Sequence, residues 1–286
     1  MKSILLFLLC AFWSWSVLAE QKQVVVSVHP MALLVKSAWP ELSVASLVPA
    51  NQSPHDFALK PSHIQLLADA DALVWLGEEF EPYLASLAKR LHQVDLAQVN
   101  EDDHAHEAEH AAALHSHDHH GDAHDPHLWL DPEGIEGFLV LIGRELNLPK
   151  PQAFLRALST WQMRAQSELA PYREVGFVSY HDAFVYWVRD FQLNQVAMLA
   201  ENPEKPIGTR HLLSVRQQLE NGHAACVFKE PQFESRLLEK LVRGLDVPVV
   251  TIDPMASQFD LLSADFIGFY DQLLAQFLTC VRAQKI

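Results

Sequence analysis

The sequence predicts an α/β protein of two similar lobes with parallel sheets, joined by one long helix. Three observations lead there. Short β-branched runs alternate with amphipathic helical stretches, the pattern of parallel βαβ units. The alternation is interrupted once by a long helical stretch and then restarts. The 286 residues, 49% apolar and 20% charged, suffice for two lobes with sizeable cores and exclude a wholly disordered chain.

The first residues read as a secretory signal. Lys2 gives a positive start, Ile4 to Trp13 is an almost unbroken apolar run, and Val17-Leu18-Ala19 fits the small-residue pattern before a cut. Cleavage is expected after Ala19, so residues 1–19 are set aside as a signal peptide. The run is too short to span about 20 residues of bilayer core. Leu9 before Cys10 stands where a lipidation signal wants a small residue. The mature chain is therefore expected to be exported and soluble. It keeps two cysteines, Cys226 and Cys280. In an oxidising compartment an even pair points to a disulfide, which would tie a strand at Ala224–Phe228 to the C-terminal helix; two buried free thiols are the alternative.

Residues 20–148 form the expected first lobe. Val24–Val28 is a strand, Met31–Trp39 a helix and Ser43–Val48 a strand. Pro61-Ser62 opens a helix through Ala70, Ala72–Leu76 is a strand, and Phe80–Leu91 is helical. Asp131-Pro132-Glu133 marks a helix start that runs to about Leu146. Residues 149–173 are the expected linking helix, with Phe154, Leu155, Leu158, Trp161 and Ala165 near a 3.6-residue period. Residues 174–286 are the second lobe. Its strands are Gly176–Ser179, Gln195–Leu199, Ala225–Phe228 and Val247–Ile252. Its helices are Ala183–Phe191, Thr209–Asn221, Glu234–Leu245 and Leu261–Ala283.

The charge is one-sided: 21 Lys and Arg against 36 Asp and Glu, a formal −15. That disfavours nucleic acid as a partner and suits attraction of cations. Sixteen histidines are unevenly spread. Within a low-complexity loop, residues 101–125, stand His104, His106, His110, His115, His117, His119, His120 and His124 among many acids. Neutral imidazole is a good ligand for transition metals, and this loose spacing suits weak, multi-site, exchanging capture rather than one rigid site.

Three more histidines stand at junctions where strands give way to helices: His55, His127 and His181. Asp253 stands at a fourth. Ligands of open α/β sheets bind beyond the carboxyl ends of strands, so these four, two from each lobe, can meet in one cleft. Three imidazoles and one carboxylate suit tetrahedral zinc. Each residue alone is more often a structural histidine or a cap. The remaining histidines, His29, His63, His92, His211 and His223, are read as surface or structural positions. His29 has a possible place at the cleft, and His211 a possible part in a secondary loop site. Trp129, Phe184 and Tyr186 are read as packing residues, Asp131 as a helix cap, and Asp125, Asp182 and Glu230 as acceptors that orient the imidazoles.

The segments Ser53–Ser62 (SPHDFALKPS), Asp125–Pro132 (DPHLWLDP), His181–Phe184 (HDAF) and Val227–Phe233 (VFKEPQF) together resemble the zinc-specific solute-binding proteins of bacterial ABC importers, the ZnuA type. The resemblance spans nearly the whole mature chain. It implies two α/β lobes joined by a long rigid helix with the metal in the cleft between them. It implies a periplasmic, monomeric carrier of Zn2+ that delivers to a membrane permease served by a separate ATPase. The family's acidic, histidine-rich loop and its C-terminal-lobe disulfide have counterparts here in residues 101–125 and in Cys226 and Cys280. By motif, His55, His127 and His181 are the implied zinc ligands. The family's fourth ligand varies, and Pro54 removes the option of a Glu before the first His, which leaves Asp253 as the favoured fourth ligand and water or a loop acid as its rival. His181 stands where manganese-specific relatives usually carry Glu, which favours zinc, as nitrogen donors do. Two other readings stand beside this one: a zinc buffer or adhesin on the same fold, and a zinc hydrolase. The hydrolase lacks a motif-borne general base such as His-Glu-x-x-His.

Overall fold

The structure is a computed structural model and describes residues 22–99 and 125–283, apart from 201, 204 and 235. The expected signal peptide and the eight loop histidines, His104 to His124, lie outside the described residues. No helix among the described residues is long and apolar enough to cross a membrane.

Among the described residues, eight strands form two four-stranded sheets. In the first, β1 (Gln23–Val28) lies between β2 (Ser43–Val48) and β3 (Ala72–Trp75), and β3 carries β4 (Gln93–Asp95) on its far side. In the second, β5 (Gly176–His181) lies between β6 (Asn194–Ala200) and β7 (Cys226–Lys229), and β7 carries β8 (Val249–Thr251). Every pairing is parallel, so the two sheets share one strand order, second-first-third-fourth. Parallel neighbours need crossovers, and such sheets are covered on both faces. That is why β1 and β5 are buried almost throughout and read as apolar runs rather than alternating ones.

The helices around the first sheet are α1 (His29–Ala38), α2 (Pro61–Ala68), the single turn α3 (Ala85–Ala88) and α4 (Ile135–Leu146). Proline starts α1 and α2 where its missing N–H is not needed. His63 Nδ1 accepts from the Lys60 backbone N–H at 3.0 Å, so this histidine helps cap α2 rather than merely facing solvent. Asp131 is the expected cap ahead of α4: its Oδ1 accepts from Gly134 N at 3.1 Å, and the helix proper begins four residues later. α4 ends on Asn147 in the left-handed region, φ 53°, with Leu148 N–H returning to the Gly143 carbonyl.

Helix α5 (Gln152–Leu169) stands between the two sheets in the chain, about 27 Å long at 1.5 Å per residue. Phe154, Leu158, Trp161, Ala165 and Leu169 are its buried stripe. They meet the last helix, which with α6 (Val185–Phe191), α7 (Thr209–Glu220) and α8 (Arg236–Leu241) completes the second lobe as α9 (Phe266–Val281). Trp161 packs against Tyr270 with ring centroids 4.5 Å apart. One apolar cluster runs without a break from Val24 and Val26 through α4 and α5 to Phe277 and Val281, so the lobes share a core instead of hinging on a thin link.

Polar ties cross the same boundary. His29 Nε2 donates to the Phe259 carbonyl at 2.7 Å, Ser37 Oγ donates to the Ala264 carbonyl, and Tyr270 OH donates to the Trp129 carbonyl. His29 is thus a structural tie between lobes, not a cleft ligand. Cys226 on β7 and Cys280 on α9 are disulfide-bonded, with Cα atoms 5.4 Å apart.

Three elements differ from the sequence reading. The helix expected over Phe80–Leu91 is reduced to α3 among turns. β4 had not been expected, since it is three residues long with only Val94 fully buried. The last helix starts at Phe266 rather than Leu261, capped by Asp265 Oδ1 on Gly268 N; residues 261–263 form a turn ahead of it, and Ala264 has φ 40°.

Candidate metal centre

Three loops at the carboxyl ends of the strands build the site. His55 lies on the 3-10 turn Pro54–Asp56 that follows β2, and its N–H is held by Ser53 Oγ at 3.3 Å. His127 precedes the 3-10 turn Leu128–Leu130, and Asp125 Oδ1 accepts from both its backbone N–H and its Nδ1, each at 2.8 Å. His181 is the last residue of β5, and its Nδ1 donates to Glu230 Oε1 at 2.6 Å. Glu230 follows β7 directly, and β7 pairs with β5, so sheet register delivers this carboxylate to that imidazole.

A carboxylate only accepts, so each of these bonds fixes its ring with the proton on Nδ1 and the lone pair on Nε2. The two Nε2 atoms, of His127 and His181, stand 3.2 Å apart. Two nitrogens on one tetrahedral zinc, each at about 2.0–2.1 Å, are separated by about 3.3 Å. The third imidazole completes the set: donor atoms of His55, His127 and His181 all lie within 4.8 Å of one another. His55 Nε2 is buried and has no hydrogen-bond partner. The enclosed space among the three rings is about 10 Å³, also walled by Ser53, Pro54, Glu230, Gln232, Phe233, Pro254 and Met255. A space this small among three imidazoles suits an ion.

Electrostatics sort the rings. Burial, then the nearby His127 and His181, push His55 down to about 3 against a smaller opposing pull from Asp125, so it is neutral at any physiological pH. Burial also works against a charge on His127, but the Asp125 charge and hydrogen bond, with the Glu230 and Asp182 charges, outweigh it and raise its pKa.

Asp253 lies outside the three-histidine group. Its Oδ1 accepts from Met255 N at 3.1 Å and Gln232 Nε2 at 2.8 Å, and its Oδ2 from Ser257 N at 2.7 Å and Ser257 Oγ at 2.6 Å. Four donors occupy the carboxylate that the sequence offered as a fourth ligand. Of the three expected orienting acids, Asp125 and Glu230 hold imidazoles. Asp182 instead accepts from Gln195 Nε2 at 2.8 Å and reaches His127 only through its charge. His211 Nε2 donates to the Met198 carbonyl, and His223 pairs with Gln218. Trp129 sets its edge against His127, with centroids 5.3 Å apart, and Tyr186 OH donates to the Asp125 carbonyl, so both brace the His127 loop. The contact that sequence reasoning missed is Gln232, although the motif that contains it had been singled out.

Replacing Glu230 with Gln keeps the shape and removes the charge that makes His181 a strong donor. Zinc affinity, read by competition with a chromophoric chelator, is expected to fall about 10-fold. Unchanged affinity would show that Glu230 does not tune the site.

Residues 24–280 match the family described as "Zinc-uptake complex component A periplasmic", ZnuA. The chain is 31% identical over 291 residues to the high-affinity zinc uptake system protein ZnuA of Yersinia pestis, with 91% of each chain covered. It shares its fold with the crystal structure of a ZnuA deletion mutant with zinc bound, at a TM-score of 0.74, 22% identity and coverage of 93% of this chain and 100% of that one. The laminin-binding adhesin Lmb of Streptococcus agalactiae has the same fold at a TM-score of 0.69 and 18% identity, covering 88% and 98%. The fold alone therefore does not separate carrier from adhesin.

Proposed function

The chain belongs to the ZnuA family, the periplasmic component of zinc-uptake complexes, and from that premise we propose that it binds Zn2+ in the periplasm and delivers it to the permease of an ABC importer. The observation that carries this reading is the convergence of His55, His127 and His181 on an atom-sized space, two of the rings held from behind by carboxylates. We assign these three as the zinc ligands and water as the fourth, since Asp253 is committed elsewhere. All-imidazole donation favours zinc over manganese, which prefers carboxylate and water.

The export signal ends after Ala19 in this reading, and the mature chain works as a monomer. The histidine- and acid-rich loop, residues 101–125, collects zinc weakly and raises its concentration near the cleft. A cavity of about 330 Å³ borders His55 and His127 and is lined in part by Glu79, Glu81 and Tyr83; it gives an ion a route to the site. The shared core and the ties across the lobes favour small lobe shifts, so the permease must loosen the site to take the ion. The chain carries no Walker-type Gly-x-x-x-x-Gly-Lys segment, so a separate ATPase drives transport. The relatives named above are zinc-uptake proteins, which supports a carrier rather than a hydrolase.

Uptake of radioactive zinc tests this. Cells lacking the chain, grown with zinc limited, should regain uptake with the wild-type chain and not with the His55, His127 and His181 triple-alanine variant. Equal uptake from both would assign the chain another role.

A further inference from the structure

We infer that Gln232 is a positioning residue of the site, its Oε1 accepting a hydrogen bond from the water that completes the zinc coordination. The inference rests on the three-histidine reading above and adds the residue that sets the fourth position. Gln232 lines the same small space as the three imidazoles. Its Nε2 donates to Asp253 Oδ1 at 2.8 Å and lies 3.5 Å from the Ala50 carbonyl of the other lobe. Both neighbours are acceptors, so the amide nitrogen must face them. That leaves Oε1 at the other end, buried and without any donor in the protein. Buried acceptors rarely stay unpaired, and the missing donor has to come from an occupant of the space.

Water on zinc is such a donor, because the ion polarises its O–H bonds strongly. Direct ligation is the weaker choice, because a neutral amide oxygen is a harder donor than zinc prefers beside three imidazoles. Asp253 gains a part in this arrangement. Its negative charge on the amide N–H draws electron density toward Oε1 and strengthens it as an acceptor. The aspartate thus acts on the ion through Gln232 and not as a ligand. Glu230 and Gln232, two residues apart on one loop, divide the work: the first orients His181, the second holds the fourth position.

The test compares wild type with Gln232→Leu and Gln232→Glu, all metal-stripped. Zinc dissociation constants are read by chelator competition, and coordination by the visible spectrum of the Co2+-loaded protein. Gln232→Leu, similar in volume but without an acceptor, should weaken zinc about 10-fold and alter the Co2+ bands. Gln232→Glu keeps an oxygen toward the site but loses the N–H that Asp253 accepts, so it should hold zinc more weakly than wild type and more tightly than Gln232→Leu. The inference is overturned if Gln232→Leu leaves affinity and spectrum unchanged, or weakens zinc with an unaltered spectrum. Equal losses in the two variants would also overturn it. If wild type itself takes up neither ion tightly, the three-histidine reading fails, and that is seen before any variant is measured.

Discussion

His127→Ala is expected to weaken zinc binding by about 1,000-fold or more, roughly 4 kcal/mol. The substitution removes one of three nitrogen donors. It also removes the ring N–H from the Asp125 carboxylate and leaves it only the backbone N–H of residue 127. His181→Ala should cost a similar amount, since it leaves the buried Glu230 without its partner. His55→Ala should cost less. That ring is less buried, no carboxylate fixes it, and its neutral state needs no help from a partner. Chelator competition gives the ranking. A dissociation constant within about threefold of wild type for His127→Ala would remove that residue from the ligand set.

Breaking the Cys226–Cys280 bond carries the largest expected stability effect. The bond closes a loop with a sequence separation of 54 residues, and the chain-entropy estimate for that length is about 4 kcal/mol. It ties β7 at the centre of one sheet to α9, whose Phe277 packs on Phe177 and Phe228 of the same sheet. The loop Glu230–Phe233, which orients His181 and lines the site, leaves β7 directly, so fraying there would reach the site. Cys226→Ala with Cys280→Ala should lower the denaturant midpoint of the oxidised protein substantially while zinc still binds below it. An unchanged midpoint would mean that the bond constrains nothing the core does not already hold.

The parts of this architecture that were legible in the sequence share a physical reason. The central strands β1, β3, β5 and β7 are buried almost throughout, so their apolar runs stand out against helical stretches with a 3.6-residue period. The three histidines were legible because each lies in a short, polar, proline-bearing segment or at the end of an apolar strand, where a loop has reason to carry function. What was not legible depends on three-dimensional neighbours. β4 is too short to show a period, and its single fully buried residue, Val94, gains meaning only beside β3. Asp253 stands at the end of β8 as a ligand would, yet Ser257, four residues on, and Gln232, from another loop, claim its oxygens. Asp125, Asp182 and Glu230 looked alike as acids beside histidines, and only the side-chain geometry separates the two that hold a ring from the one that does not.

Calorimetric titration of the metal-stripped mature chain with residues 101–124 deleted, first with Zn2+ and then with Mn2+, tests the central assignment most directly. The three-imidazole cleft predicts one tight zinc site, on the order of nanomolar, and weak or no manganese binding. Equal or tighter manganese binding, or no tight site once the loop is gone, would contradict it.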